Sequence, residues 1–325
     1  MSSSEQGSTT VTNPPPAETD LNQSASWRDY YELTKPNVVA LMLLTSVIGM
    51  LLASREWIGW QVLVFGNLGI ALCAGSAAAI NHVIDRKVDR NMSRTDQRPV
   101  AKGRVSPNKA LIFAAVLGVI GAAILYFLVN AMVTWLTLAS LVGYAFIYTM
   151  YLKRATSQNI VIGGLAGAAP PLLGWAAVTG TIDPHALLLV LIIFAWTPPH
   201  FWALAIHKRE DYAKVQYPML PITHGIAYTK IQILLYSLLL FAVSLLPFAT
   251  RMLDWLYLLG AVVLGVGFLW YAWRLYKDDS NTLGMDLFWY SIVYLMALFI
   301  IMLLDHYLID PVYQVTVELP AGATL

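Results

Sequence analysis

Long apolar runs separated by short polar stretches dominate this chain. A helix needs about 20 mostly apolar residues to cross a bilayer, and the chain contains nine segments of that length. We therefore expect an all-α membrane protein with nine transmembrane helices in residues 28–306. The predicted helices fall at about 37–54, 60–82, 108–129, 132–152, 159–179, 186–207, 230–250, 254–275 and 286–306.

Composition supports a membrane protein. Of the 325 residues, 58% are hydrophobic and 12% are charged, whereas soluble domains have about 25% charged residues. Residues 1–27 are rich in Ser, Thr, Pro and Glu and contain no Lys or Arg, so we expect a disordered tail without the features of a signal or transit peptide. Residues 307–325 form a second predicted tail. The one cysteine, Cys73, excludes an intramolecular disulfide.

Positive charges are distributed unevenly between the two predicted membrane sides. If the N-terminus lies inside, 18 of the 20 Lys and Arg residues fall on the inner side, and only Arg55 and Arg251 lie outside. Cytoplasmic loops carry an excess of these residues. We expect a bacterial inner-membrane protein whose N-terminus and loops after helices two, four, six and eight are cytoplasmic, and whose C-terminal tail is periplasmic.

The most charged stretch, residues 79–103, follows the second apolar segment. Asn81, Asp85 and Asp89 are spaced i, i+4, i+8, which places them on one face of a helix. An amide and two carboxylates are suitable ligands for Mg²⁺, which often completes its shell with substrate phosphates. Seven nearby cations are candidates for binding a diphosphate: Arg86, Lys87, Arg90, Arg94, Arg98, Lys102 and Arg104.

Two further predicted cytoplasmic segments carry candidate residues. After the sixth helix, Glu210 and Asp211 form a second acidic cluster that is a candidate for a second Mg²⁺. After the fourth helix, Tyr148 and Lys153 would face the same site, and Lys153 could neutralise phosphate charge. Charge capping of helix ends and snorkelling are the plainer interpretations of these residues.

Histidines and tryptophans within the predicted helices suggest a second kind of ligand. Ionisable residues inside a membrane are functional candidates, and histidine commonly binds haem iron. His82 adjoins the first acidic motif, and His200 lies in the sixth helix. Aromatic side chains can stabilise a cation in a dry cavity, and three are placed to do so: Trp175, Trp196 and Trp202.

These motifs resemble a known family. The pattern N-x-x-x-D-x-x-x-D at Asn81, Asp85 and Asp89, with nine helices, resembles the UbiA superfamily of intramembrane prenyltransferases. The stretches NHVIDRKVDRNMSRTDQRP, YTMYLKRATSQNIVIGG, GAAPPLLGW, WTPPHFWALAI and YPMLP resemble, more narrowly, its protoheme IX farnesyltransferase branch. The similarity extends over about residues 28–305.

The resemblance implies a UbiA-like bundle and a reaction. Farnesyl diphosphate would donate its farnesyl group to a vinyl group of heme b (protoheme IX), with water addition, to give heme O and diphosphate. Mg²⁺ is the implied cofactor, the lipid bilayer supplies both apolar substrates, a downstream heme A synthase or terminal oxidase assembly is the expected recipient, and nucleic acid is not a partner.

The resemblance also assigns roles to individual residues. One departure is that the position four after Asp211 is Val215, so the second acidic motif of many superfamily members is incomplete here. The resemblance implies that Asn81, Asp85 and Asp89 hold Mg²⁺ with the diphosphate and that Arg94 and Arg98 bind phosphate oxygens, with Lys153 close by. Together with the candidates found from the residues themselves, the predicted catalytic residues are Asn81, Asp85, Asp89, Arg98 and Lys153; the predicted diphosphate or heme ligands are Arg94, Arg98, Tyr148, Lys153, His82 and His200; and the predicted metal ligands are Asn81, Asp85, Asp89, Glu210 and Asp211.

Two alternatives stay open at this point. An enzyme of the same fold could prenylate an aromatic acid such as 4-hydroxybenzoate; the histidines of the sixth helix, His200 and His207, favour heme. A nine-helix protein with proline breaks could also be a transporter, but the acidic residues cluster at the membrane border and not at its midplane.

Overall fold

The structure, a computed structural model, describes residues 25–92, 95–214, 218–280 and 282–309. The described residues form helices joined by turns and loops, and a π-helix, Gly143–Leu152, follows α5. The α-helices are α1 Trp27–Leu33, α2 Pro36–Leu52, α3 Trp60–Asp89, α4 Pro107–Leu128, α5 Ala131–Val142, α6 Lys153–Ala155, α7 Asn159–Ala168, α8 Pro170–Thr179, α9 Pro184–His207, α10 Arg209–Lys214, α11 Leu220–Thr223, α12 Gly225–Ser244, α13 Leu246–Ala249, α14 Trp255–Lys277 and α15 Gly284–Leu308.

The predicted all-α membrane fold is confirmed. In the described part of the chain, eight helical spans are long and apolar enough to cross a bilayer, and the pair α1–α2, bent by 50°, can be counted as a ninth. The break lies at Thr34–Lys35, just before the first predicted segment. The fifth predicted segment is α7 plus α8, which meet at Ala169 before Pro170. The two predicted tails lie almost wholly outside the described residues.

Helix α3 is longer than its apolar run predicts. It continues to Asp89, seven residues beyond the predicted end at 82, and contains 30 residues. At 1.5 Å per residue it is about 45 Å long, against a hydrocarbon core of about 30 Å. Its last two turns can therefore carry charged residues at the membrane surface while the rest of the helix crosses the bilayer.

Helices α2 and α8 approach each other backbone to backbone. A Cβ atom at Gly49 would collide with the carbonyl of Pro171, and one at Gly174 would collide with the carbonyl of Ser46. Small residues allow such close helix contacts in membranes. This contact fixes α2, whose first residue follows a lysine of the candidate site.

At the end of the bundle away from Asp89, a buried carboxylate joins α15 to α14. The side chain of Asp305, near the end of α15, accepts hydrogen bonds from the backbone N–H groups of Asp254 (2.6 Å) and Tyr257 (2.9 Å). It thereby satisfies amides at the start of α14 that have no intrahelical partner. The guanidinium of Arg55 donates to the carbonyl of Ile309 at 3.2 Å, which joins the first turn at this end to the last helix.

A second carboxylate, on Asp278, bonds to described residues between α14 and α15. The side chain of Asp278 accepts hydrogen bonds from the Ser280 hydroxyl (2.5 Å) and backbone (2.9 Å) and from the backbone of Leu283 (3.1 Å). The Ser280 hydroxyl contributes most to lowering the pKa of Asp278 to about 2. Lys230 of α12 donates to the carbonyl of Asp278, so Asp278 is tied to a neighbouring helix.

Candidate active site

The predicted motif on α3 forms one buried cluster. The side-chain amide of Asn81 donates to Asp85 Oδ2 at 2.9 Å, and Asn81, Asp85 and Asp89 are 3%, 0% and 3% exposed. Their spacing keeps them on the face of α3 that points into the protein. The predicted common face is therefore present, and its oxygen atoms are directed away from lipid.

Three cations from three segments meet this cluster. Lys153 Nζ lies 2.7 Å from Asp85 Oδ2, and Arg98 Nη1 lies 2.9 and 2.8 Å from the two carboxylate oxygens of Asp89. Lys35 donates to the side-chain oxygen of Asn81. The sequence-based assignments of Arg98 and Lys153 to the site agree with this geometry; Arg94 lies outside the described residues.

Lys35 was not predicted as a site residue. It interacts electrostatically with Asp85, Asp89, Arg98 and Lys153 as well as bonding to Asn81. Its backbone is left-handed, with φ 51°, a conformation that costs roughly 1–2 kcal/mol for a residue with a side chain. Strained residues of this kind cluster at functional sites, and here the strain accompanies the placement of an ammonium group against the acidic motif.

The π-helix forms another wall of the site. Thr149 is buried, donates its hydroxyl hydrogen to the carbonyl of Tyr144 at 2.8 Å and accepts from the amide of Asn81 at 3.3 Å. Tyr144 stacks on Tyr148 with ring centroids 5.5 Å apart. π-helical turns are frequent at functional sites. This one places the Thr149 hydroxyl against Asn81 and brings Tyr144 within electrostatic range of Asp85.

Tyr148 is positioned by a glycine of α7. A Cβ atom at Gly163 would overlap the Tyr148 ring, whereas one at Gly167 on the same helix would meet nothing within 4 Å. The position of the Tyr148 ring therefore depends on the absence of a side chain at Gly163.

Most of the other predicted cations do not reach the cluster. Arg86 and Arg90 each follow a motif aspartate by one residue, so a rotation of about 100° turns them to another face of α3. They bond instead to the carbonyls of Val83 and Ala101. Lys87 and Lys102 are exposed. Arg104 pairs with Asp29 and Glu32 of α1, where it ties the loop before α4 to the N-terminal helix.

The second acidic cluster is not joined to the first in the described structure. Glu210 and Asp211 lie in the first turn of α10, and the Asp211 carboxylate meets Lys214 at 3.3 Å. Among the described residues, no hydrogen bond or ion pair links Glu210 or Asp211 to the α3 motif. Adjacent acids on a short helix point in different directions, so their proximity in sequence did not establish a shared site.

The α3 motif has the ligands that suit Mg²⁺. The described residues contain no group of three or more His, Cys, Asp or Glu side chains that could hold a metal ion by themselves. The motif instead offers two carboxylates and an amide oxygen. Mg²⁺ is commonly bound by one or two carboxylates together with substrate phosphates and water, so this set fits Mg²⁺ bound along with a diphosphate.

The two candidate histidines have different surroundings. Both ring nitrogens of His82 are buried without a hydrogen-bond partner among the described residues. His200 lies between the rings of Trp196 and Phe288, with centroid distances of 4.1 and 4.5 Å, and its Nδ1 is 2.6 Å from the Ser291 hydroxyl.

The three candidate tryptophans do not form one wall. Trp196 stacks on His200 and donates its indole N–H to the carbonyl of Ser291 at 2.7 Å. Trp202 is fully buried, with its ring edge against Tyr236 at 5.3 Å. Trp175 lies in α8, 6.5 Å from the ring of His185. Of the three, only Trp196 has a ring contact with a candidate site residue in the described structure.

Comparison with known proteins identifies the fold and the family. Residues 42–299 match the model of the UbiA prenyltransferase family. The chain belongs to this family. A protoheme IX farnesyltransferase from Saccharophagus degradans is 70% identical over 285 residues, which cover 88% of this chain and 94% of that protein. One from Hahella chejuensis is 62% identical over 285 residues, covering 88% and 95% of the two chains.

Solved structures of the UbiA fold superpose on most of the chain. A digeranylgeranylglyceryl phosphate synthase is similar with a TM-score of 0.75 and 17% identity, covering 87% of this chain and 99% of that one. A UbiA homolog from Archaeoglobus fulgidus bound to DMAPP and Mg²⁺ has a TM-score of 0.61 and 15% identity, covering 84% and 99%. At this identity the likeness establishes the fold, and it confirms the predicted UbiA-like bundle.

Proposed function

We propose that this UbiA-family protein transfers the farnesyl group of farnesyl diphosphate to a vinyl group of heme b. The C–O bond of the diphosphate ester breaks and a C–C bond forms to one vinyl carbon. The hydroxyl group of a water molecule adds to the other vinyl carbon, one proton is released, and the products are heme O and diphosphate. The identity to protoheme IX farnesyltransferases over most of the chain supports this acceptor and donor.

The observation that carries the proposal is the convergence of Lys35, Arg98 and Lys153 on the α3 motif. As the C–O bond breaks, negative charge grows on the departing diphosphate. Fixed cations in a partly dry site stabilise such charge far more than they would in water. We assign these three side chains to the diphosphate, with Arg94 of the loop as a further candidate ligand.

Asn81, Asp85 and Asp89 would hold Mg²⁺. When bound, the ion neutralises charge on the diphosphate oxygens as a Lewis acid. In the described structure Asp85 and Asp89 are paired with Lys153 and Arg98, so these carboxylates keep the two cations in place near the position that the diphosphate would take. We propose Glu210 and Asp211 as candidate ligands of a second ion. They are the acids available there, because Val215 replaces the second acid of the superfamily motif.

The allylic cation left by ionisation must be protected from water until it meets the vinyl group. Tyr144 and Tyr148 of the π-helix stack on each other, and Tyr144 interacts electrostatically with Asp85. Aromatic faces attract a cation. We propose that these two rings shield the first carbon of the farnesyl chain. The bundle interior then excludes solvent from the reacting carbon, which limits hydrolysis of the donor.

The direct test is product analysis. Membranes containing the full chain are incubated with farnesyl diphosphate, Mg²⁺ and heme b, and the extracted heme is analysed by mass spectrometry. We expect a heme whose mass has increased by one farnesyl group and one hydroxyl group. Replacement of heme b by 4-hydroxybenzoate should give no product; a prenylated benzoate with unchanged heme would contradict the proposed acceptor.

We further propose that the cation-rich end of the bundle faces the cytoplasm of a bacterial cell, as the positive-inside rule predicts. The heme O product would pass to a heme A synthase or a terminal oxidase.

The membrane orientation can be tested at two positions. Glu56 and Lys102 are exposed at opposite ends of the bundle. In a Cys73→Ala background, a membrane-impermeant maleimide should label Glu56→Cys in intact spheroplasts and label Lys102→Cys only after lysis. The reverse pattern would contradict the orientation.

A further inference from the structure

The imidazole of His200 is fixed on three sides by two helices. Trp196, one turn earlier on α9, stacks on one face with an interplanar angle of 20°, and Phe288 of α15 stacks on the other at 25°. The Ser291 hydroxyl lies 2.6 Å from Nδ1. The residue is 8% exposed.

Ser291 determines which nitrogen carries the proton. Its hydroxyl hydrogen is donated to the carbonyl of Phe288 at 2.6 Å. We assign this hydrogen to the Phe288 carbonyl, which can only accept, so that the Ser291 oxygen accepts from Nδ1–H of His200. The neutral ring then has its lone pair on Nε2, for which the described structure shows no hydrogen-bond partner.

Ser291 makes a second hydrogen bond to α9. The carbonyl of Ser291 accepts the indole N–H of Trp196 at 2.7 Å. Backbone and side chain of one residue on α15 therefore hold two aromatic rings on successive turns of α9. Because the hydrogen bond to Nδ1 and the stacked rings leave the imidazole little freedom to turn, the direction of the Nε2 lone pair is set by the packing of α9 against α15.

An imidazole whose Nδ1–H is held by a hydrogen bond and whose Nε2 is left bare is the usual form of a metal-bound histidine. We infer that His200 binds the iron of the substrate heme through Nε2 and that Ser291 is the positioning residue that fixes this tautomer. The inference rests on the proposed function and deepens it by naming the residue that orients the acceptor. His82 suits this role less well, because both of its nitrogens are buried and neither has a partner that would select a tautomer.

The test is a titration of the full chain in lipid nanodiscs with ferric heme b, followed by absorption and electron paramagnetic resonance spectra. Wild type should give the spectrum of a histidine-ligated heme. His200→Ala should lose this spectrum and regain it when free imidazole is added. His82→Ala should keep it.

Ser291→Ala tests the positioning role separately from the ligand. The imidazole is still present, so the histidine-ligated spectrum should be retained, but we expect the dissociation constant for heme to rise by about 10–100-fold, as for other outer-shell partners of metal-bound histidines. Ser291→Thr, which keeps the hydroxyl, should restore it. Ser237→Ala is the matched control, since Ser237 is equally buried and its hydroxyl donates only to Ile233 of its own helix. Thermal melts identify variants that fail to fold.

The outcomes separate the inference from the function on which it rests. If wild type farnesylates heme b but folded His200→Ala has the wild-type spectrum and affinity, or His82→Ala loses the spectrum instead, the inference is wrong and the proposed function stands. An unchanged affinity in Ser291→Ala would exclude the positioning role. If wild type neither binds nor farnesylates heme b, the proposed function fails and the inference fails with it.

Discussion

Replacement of Lys35 by methionine is the sharpest test of the electrostatic part of the site. Lys35 is the cation that joins the α1–α2 break to the α3 motif, through its bond to Asn81 and its interactions with Asp85 and Asp89. Lys35→Met removes the charge and keeps the length and most of the volume of the side chain. The bent connection between α1 and α2, which the left-handed residue makes possible, can therefore persist.

The expected loss of rate follows from the charge that grows on the diphosphate. Removal of one preorganised donor from a developing anion typically lowers kcat by about 10²–10³, or about 2.7–4 kcal/mol. Stability should change less. The side-chain oxygen of Asn81 would lose a donor, and an unsatisfied buried acceptor costs about 1–3 kcal/mol. We therefore expect a folded but slow enzyme.

The assay is the initial rate of diphosphate release in proteoliposomes with saturating farnesyl diphosphate, Mg²⁺ and heme b. Lys109→Met is the matched control, because Lys109 is exposed on the first turn of α4 at the same end of the bundle. The control should keep the wild-type kcat. A folded Lys35→Met protein with a kcat within about threefold of wild type would refute the assignment of Lys35 to the diphosphate, given the loss of at least 10²-fold expected for such a donor.

Two further substitutions test the other walls of the site. Arg98→Gln removes both bonds to the carboxylate at the end of α3 and should lower kcat by about 10²-fold or more, whereas Arg90→Gln, which loses a backbone contact, should be nearly neutral; equal rates in the same release assay would contradict the role of Arg98. Gly163→Ala places a methyl group against the ring of Tyr148, while Gly167→Ala enters open space. In thermal melts and product assays we expect reduced activity for Gly163→Ala only, and equal behaviour of the two would argue that the position of Tyr148 is unimportant.

The sequence predicted the parts of this site that depend on local periodicity. Asn81, Asp85 and Asp89 share a helix face because of their spacing, and the apolar run before them places that face at a membrane border. The transmembrane spans could likewise be predicted, since their length is set by the thickness of the bilayer. The apolar run alone ends α3 at residue 82, whereas the helical spacing of the motif indicates a helix that continues to Asp89, where the structure ends it.

Contacts between segments far apart in sequence could not be predicted from the spacing of apolar and charged residues. Lys35 lies 46 residues before Asn81, and His200 lies 91 residues before Ser291. In sequence, Lys35 is one inner-side cation before a proline, and Ser291 is one small polar residue in an apolar run. Conversely, the row of arginines after Asp85 looked like one phosphate-binding group, but successive helical residues point in different directions, so only some of them can share a site.

The most direct measurement of the central claim is the Mg²⁺-dependent binding of farnesyl thiolodiphosphate, an unreactive analogue of the donor, by isothermal titration calorimetry. Wild type and Asp279→Asn, which changes an exposed acid at the same end of the bundle, should bind the analogue with Mg²⁺ and lose it when EDTA is added. Asp85→Asn should bind at least about 10-fold more weakly, a difference of about 1.4 kcal/mol. Equal affinity of folded Asp85→Asn and wild type, or binding that does not depend on Mg²⁺, would contradict the claim that the α3 motif holds the metal and the diphosphate.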